Sequence, residues 1–236
     1  MKFLNIDSPL MQFLGKAADL MWVNILCFFL CLPIFTAGAS ITAMHYVCLK
    51  IVRDEECYIT KSFFKSFKEN FVQSTLEWLI MLVVILIFAG DFYLFYTGAV
   101  SLPSIVRMII LAIAIFVLLG GIMVFPVQAR FVNSISGTFK TAFAIAILQL
   151  PKTILMLVLY VLPAVLGYMF LQIFPLIFVF GLSVPAYCAA LLYNKRFKML
   201  EDRFLEEHPQ EQEEVSDEEK IFSDKPLFPE SDDSSK

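Results

Sequence analysis

Apolar residues gather into long runs, and the polar positions fall between the runs rather than inside them. Leu79–Ala89 and Ile109–Leu119 contain no polar side chain at all. Several runs approach the roughly 20 residues that a helix needs to cross a bilayer. Lipid offers no partner to a free N–H or C=O, so such runs must be helices or strands of a closed barrel. Barrel strands would alternate apolar and polar, and these do not. The pattern predicts an all-α, polytopic transmembrane bundle. Its six spans lie at about residues 17–33, 36–53, 76–97, 104–126, 141–162 and 172–193.

The polar punctuation sets the shorter elements. Leu10, Met11, Phe13, Leu14, Ala17 and Ala18 recur at helical spacing against Gln12, Lys16 and Asp19. This is an amphipathic lead-in at the interface, or the wet end of the first span. Pro33 ends that span, and Pro33 with Gly38 marks a structural turn before the second. The alternative is one long span kinked at Pro33. Charge favours two crossings. Lys50, Arg53, Lys61, Lys65 and Lys68 place the following loop on the cytoplasmic side, and Lys2 and Lys16 place the N-terminus there too. Within that loop, residues 60–71 predict a separate interfacial helix. Phe63, Phe64, Phe67 and Phe71 form one stripe, flanked by Lys61, Lys65, Lys68 and Glu69. Rings in the interface and lysines in water suit such a helix, and so does docking on a partner. Pro151 is expected to kink the fifth span, and residues 163–170 to turn outside without Lys or Arg.

Composition agrees: 59% of the 236 residues are hydrophobic and 17% charged, against about 25% charged in a soluble domain. The net charge of −4 hides a division. Residues 1–198 carry 14 Lys+Arg and 8 Asp+Glu, a net of +6, and residues 199–236 carry 4 and 14, a net of −10. The chain therefore divides into a transmembrane domain, 1–198, and an acidic cytoplasmic tail, 199–236, expected to be largely disordered apart from a turn or two continuing the sixth span. The basic residues are scattered over short loops, so nucleic-acid binding is not expected. No cleaved leader is expected either, because the polar lead before Val23–Leu32 is long and the next segment is again apolar.

Motifs for chemistry are missing. There is no phosphate loop, no His-Glu-x-x-His and no Gly-x-Ser-x-Gly. Two histidines, His45 and His208, cannot make a multi-histidine metal site. The expectation is no enzyme, no catalytic residue, no metal and no cofactor. His45 is read as a hydrogen-bonded histidine inside the bundle, with a path-lining role as the alternative. Five cysteines form no paired framework. Asp91 and Arg107 fall at similar depth on antiparallel spans and are expected to form an intramembrane ion pair. That pair is read as a structural clamp, or as a proton or substrate site.

Two blocks carry a resemblance. They are Leu32-Pro33-Ile34-Phe35-Thr36-Ala37-Gly38-Ala39-Ser40-Ile41-Thr42-Ala43-Met44 with Asn24 before and Lys50 after, and Phe63-Phe64-Lys65-Ser66-Phe67-Lys68-Glu69-Asn70-Phe71. Together they resemble the signatures of the YesL family of bacterial integral membrane proteins, over about residues 5–200. The resemblance implies a bacterial cytoplasmic-membrane protein with no assigned catalytic residue. It also implies a role beside carbohydrate uptake, with carbohydrate ABC transporter subunits and the lipid bilayer as partners. Phe63, Phe64, Lys65, Phe67, Lys68 and Phe71 are the expected partner or lipid contacts. A scaffold that recruits a basic cytoplasmic partner through the acidic tail, moving no solute, is the alternative; the oligomeric state stays open. Both termini are expected in the cytoplasm. In intact cells Cys57 should then resist a membrane-impermeant thiol reagent, and a cysteine placed at Ser101 should react; the opposite pattern reverses the orientation.

Overall fold

The computed structural model describes residues 9–55, 58–98 and 103–207. Every regular element among them is helical: α1 (Pro9–Cys31), α2 (Ala37–Val52), α3 (Ile59–Tyr96), α4 (Ser104–Arg130), α5 (Ile135–Leu148), α6 (Leu150–Met169), α7 (Phe174–Phe180) and α8 (Ser183–Glu207). Single 3₁₀ turns, Ile34–Thr36 and Leu171–Ile173, precede α2 and α7. Among the described residues five helices are long and apolar enough to cross a membrane, and the pair 171–180 and 183–203, bent by 56°, passes the same test when taken together. The protein is a polytopic helical bundle. The predicted tail from residue 208 onward, with His208, lies outside the described residues, as do Cys57 and Ser101.

Helix α2 is the axis. It packs on α1, α3, α4 and α8, and every residue from Ala37 to Ile51 except Ile41 is buried. Its small residues make this possible. A Cβ on Gly38 would collide with the carbonyl oxygen of Ser74 and the Cβ of Trp78, so the backbones of α2 and α3 touch there. Gly38 is thus a packing residue in the first turn of α2 and not part of the turn predicted with Pro33. The turn itself is at Pro33, where the Thr36 hydroxyl donates to the carbonyls of Leu30 and Pro33. Trp78 closes the same junction by donating its indole N–H to the Ile34 carbonyl at 2.8 Å. By contrast, the outer part of α3 and the start of α4 are apolar and exposed, with Phe92 and Met108 each 71% exposed. Such a surface suits lipid rather than water.

Three expectations need correction. Residues 60–71 are not a separate helix: α3 runs without a break for 38 residues, about 57 Å at 1.5 Å per residue. Its start is held by packing, since Phe63 is fully buried. The Thr60 hydroxyl accepts from the Trp22 indole at 2.9 Å. The predicted fifth span, 141–162, is divided at Gln149, between α5 and α6. Pro151 has no N–H and restricts the residue before it, and it sits in the first turn of α6. The Gln149 carbonyl begins the new helix, accepting from the Lys152 and Thr153 amides. Pro163 does not start the turn; it lies inside α6. The predicted sixth span, 172–193, breaks between α7 and α8. Asn24 of α1 stitches that break, accepting from the amides of Leu182 and Ser183 at 2.9 Å and donating to the Phe178 carbonyl at 2.7 Å.

Gly38→Ala should destabilise the bundle by about 2 kcal/mol, the typical cost of overpacking a close contact. Gly15→Ala, where an added Cβ meets nothing within 4 Å, should not. Melting curves of the two variants followed by circular dichroism check this.

Candidate functional site

The polar residues of α3 that face the bundle are spaced for one face. Ser66, Asn70, Ser74 and Glu77 fall at i, i+4, i+8 and i+11, and none exceeds 1% exposure. In an apolar bundle each polar group needs an internal partner. The Thr42 and Ser74 hydroxyls meet at 3.0 Å, tying α2 to α3. Asn70 donates to the Ser66 carbonyl at 2.9 Å and accepts from the Gln128 amide of α4 at 3.0 Å. Thr138 of α5 donates to Gln128 Oε1 at 3.1 Å. Beside them the Gln73 amide nitrogen reaches Asn133 O at 2.7 Å, Gln128 Oε1 at 2.9 Å, Glu77 Oε1 at 3.3 Å and Thr138 Oγ1 at 3.4 Å. Asn133 is in the non-helical link between α4 and α5, so its carbonyl has no helical obligation. The result is a polar chamber where α3, α4 and α5 meet, with the Glu77 carboxylate fully buried in its wall.

A second buried polar group lies at the ends of α2, α4 and α8. Arg53 forms two hydrogen bonds to Glu201, at 2.9 and 3.1 Å, and a third to Asn194 at 2.9 Å. Arg130 adds Nε to Glu201 Oε1 at 2.9 Å. All three charged side chains are under 10% exposed. This knot joins the ends of α2 and α4 to α8. Glu201 therefore belongs to the folded bundle, not to a loose acidic tail. A third group lies in the core: the His45 ring is bracketed by Tyr160 of α6 and Tyr193 of α8, at 3.1 and 3.3 Å. One ring nitrogen donates and the other accepts, and two hydroxyls satisfy either arrangement.

The anticipated residues are distributed differently. Asp91 and Arg107 line one cleft of about 360 Å³ between α3 and α4, with Phe88, Phe95 and Leu111. They do not close an ion pair within 4.0 Å; among the described residues the Arg107 guanidinium reaches the Ser104 hydroxyl, at 3.5 Å. Phe63 is fully buried and is not available as a contact. Phe67 and Phe71 are partly buried, with ring centroids 5.4 Å apart and planes inclined at 59°. Tyr58, Lys61, Phe64, Lys65 and Lys68 border an open groove; Tyr58 is 85% and Phe64 38% exposed. Sequence reasoning missed the chamber, although Ser66, Asn70, Ser74 and Glu77 already share a helical face. It missed the Arg53–Glu201–Arg130 knot because those partners are far apart along the chain. Among the described residues no group of three or more His, Cys, Asp and Glu side chains is placed to hold a metal.

The turn at Pro33, the close approach at Gly38 and the α3 stripe all fall in the segment that a family comparison selects. Residues 20–92 match the family described as "Protein of unknown function, DUF624". No curated protein and no solved structure matches the chain. The DUF624 match spans α1 from Leu20, all of α2, and α3 as far as Phe92. It holds Glu77 and Gln73 but leaves out Gln128, Asn133 and Thr138, which complete the chamber.

Glu201→Ala would leave two buried arginines facing each other without their carboxylate. It should cost about 3 kcal/mol and lower the melting temperature by roughly 6–12 °C. Asp91→Asn, which removes no ion pair, should shift it by less than about 2 °C. The same thermal melts, run on both variants, test the contrast.

Proposed function

We propose that this chain is a multi-pass accessory subunit of a carbohydrate transport system in the bacterial cytoplasmic membrane, with both termini in the cytoplasm. The reading rests on the resemblance to the YesL family and on one structural observation. The start of α3 presents a basic and aromatic ridge to the outside. Tyr58, Lys61, Phe64 and Lys68 project there, beside a groove of about 820 Å³, while Phe63 behind them anchors the helix in the core. A rigid helix that offers cations and rings on one side, and is fixed on the other, suits docking against an acidic surface of an importer subunit. In this proposal the chain carries no chemistry of its own. Its part is to hold or orient the partner at the cytoplasmic face.

The test is recovery of the tagged protein from its own membranes in a gentle detergent, with bound proteins identified by mass spectrometry. A triple variant, Lys61→Ala with Phe64→Ala and Lys68→Ala, spares the buried Phe63. Co-recovery of a carbohydrate importer subunit, reduced at least tenfold in the triple variant at equal membrane levels, is the expected result. Recovery of the chain alone, or of the same subunit undiminished by the triple variant, refutes the proposal.

A further inference from the structure

Asp91 and Arg107 share a cleft and do not use each other. The cleft, of about 360 Å³, lies between α3 and α4 and is walled by Phe88, Phe95, Tyr96 and Leu111. The two charges close no ion pair within 4.0 Å. Arg107 touches the Ser104 hydroxyl at 3.5 Å, and Asp91 has no polar partner among the described residues. A charge beside hydrocarbon is costly unless something answers it. Here an acid and a base stand in one aromatic cleft, and each has bonding capacity left. We propose that the cleft binds a phospholipid whose headgroup carries both a phosphate and a primary ammonium, a phosphatidylethanolamine.

Depth suits a headgroup. Asp91 lies five residues before the end of α3 at Tyr96, and Arg107 lies three residues after the start of α4 at Ser104. At 1.5 Å per residue these are about 8 Å and about 5 Å from the helix ends. With those ends at the membrane surface, both charges sit near the level where hydrocarbon gives way to headgroups. Charge complementarity selects which headgroup. A guanidinium holds a phosphate through two parallel N–H donors. A carboxylate needs a donor in return, and a primary ammonium has three protons to give. A choline headgroup has the positive charge but no N–H, so it leaves Asp91 without a hydrogen bond. An anionic headgroup satisfies Arg107 and is repelled by Asp91. Surroundings select a lipid over a soluble ligand. The faces of α3 and α4 around the cleft are apolar and exposed, Phe92 and Met108 among them. Acyl chains can lie along these faces while the headgroup enters between the helices.

The experiment uses the full chain in detergent with a fixed mole fraction of phospholipid. Phosphatidylcholine is replaced stepwise by phosphatidylethanolamine, or by phosphatidylglycerol, with the same acyl chains. Thermal unfolding is followed by circular dichroism. The expected result is a saturable rise in melting temperature of about 3–5 °C with phosphatidylethanolamine, and none with phosphatidylglycerol or with phosphoethanolamine that lacks acyl chains. Asp91→Asn and Arg107→Gln should each abolish that rise, while melting within about 2 °C of the parent in phosphatidylcholine alone. Identical melts in the three lipids overturn the proposal. So does an equal rise with phosphatidylglycerol, which would make the cleft an anion site, or with free phosphoethanolamine, which would make it a site for a soluble ligand. A rise that survives Asp91→Asn overturns it as well. In phosphatidylcholine, destabilisation by each single variant that does not add in the double variant would mean that the two side chains pair with each other, and this too refutes the proposal. If a charge variant does not fold, Ala114→Leu decides. It keeps both charges and fills the cleft that Ala114 lines, and an unchanged response to phosphatidylethanolamine in that variant also overturns the proposal.

Discussion

Gly38 has no side chain, and the first turn of α2 therefore lies directly against Ser74 and Trp78 of α3. Much else follows from that contact. It lets α2 enter the middle of the bundle, where a larger residue would hold it off by the width of a methyl group. Once α2 is enclosed, its polar side chains lose all access to water and must be answered by neighbours. Thr42 is answered by Ser74, Ser40 by the Cys27 carbonyl at 3.0 Å, and His45 by two tyrosines. The enclosure also fixes the rotation of α3. With Ser74 turned toward α2, the residues one turn away on either side, Asn70 and Glu77, are carried inward as well.

The bundle answers its buried charges in two different ways. At the ends of α2, α4 and α8 it pairs two arginines with one glutamate through four hydrogen bonds, counting the amide of Asn194. Guanidinium groups suit this because their donors are fixed in a plane and match a carboxylate two at a time. Where α3, α4 and α5 meet, one buried glutamate takes the Gln73 amide at 3.3 Å. The first arrangement is complete as it stands and holds helix ends together. The second joins α3, α4 and α5 through side-chain amides and a hydroxyl.

How much of this was legible in the sequence depends on distance along the chain. The apolar runs announced the helices, since a period-free run of that length in a bilayer has one local solution. Pro33 announced a break because its effect is on its own backbone. The continuity of α3 was hidden. Lys61, Lys65 and Lys68 give its first third an amphipathic look, which matches an interfacial helix as well as it matches the wet end of a long one; the burial of Phe63 decided the matter, and burial is tertiary. Pro151 was seen as a kink, but whether a proline bends a helix or divides it depends on the backbone just before it, and Gln149 leaves the helical region there. Asp91 and Arg107 drew attention because charges in an apolar run are conspicuous. Glu201 did not, because it sits among many acids, and only the fold separates it from them. The DUF624 match, ending at Phe92, likewise covers the half of the chamber that is local to α3 and not the half brought from α4 and α5.

The two tryptophans of this chain have a use beyond the bonds they make. Trp22 and Trp78 are the only ones in 236 residues, and both donate to partners across the α1–α2–α3 junction, Thr60 and the Ile34 carbonyl. Excited at the red edge of the indole band, where its eight tyrosines do not absorb, the protein gives a fluorescence that is therefore a local signal. It reports on that one junction while the other helices stay dark. An observer exciting indole would see the α1–α3 joint open or tighten without attaching a dye, and changes confined to α6 or α7 would leave the spectrum still.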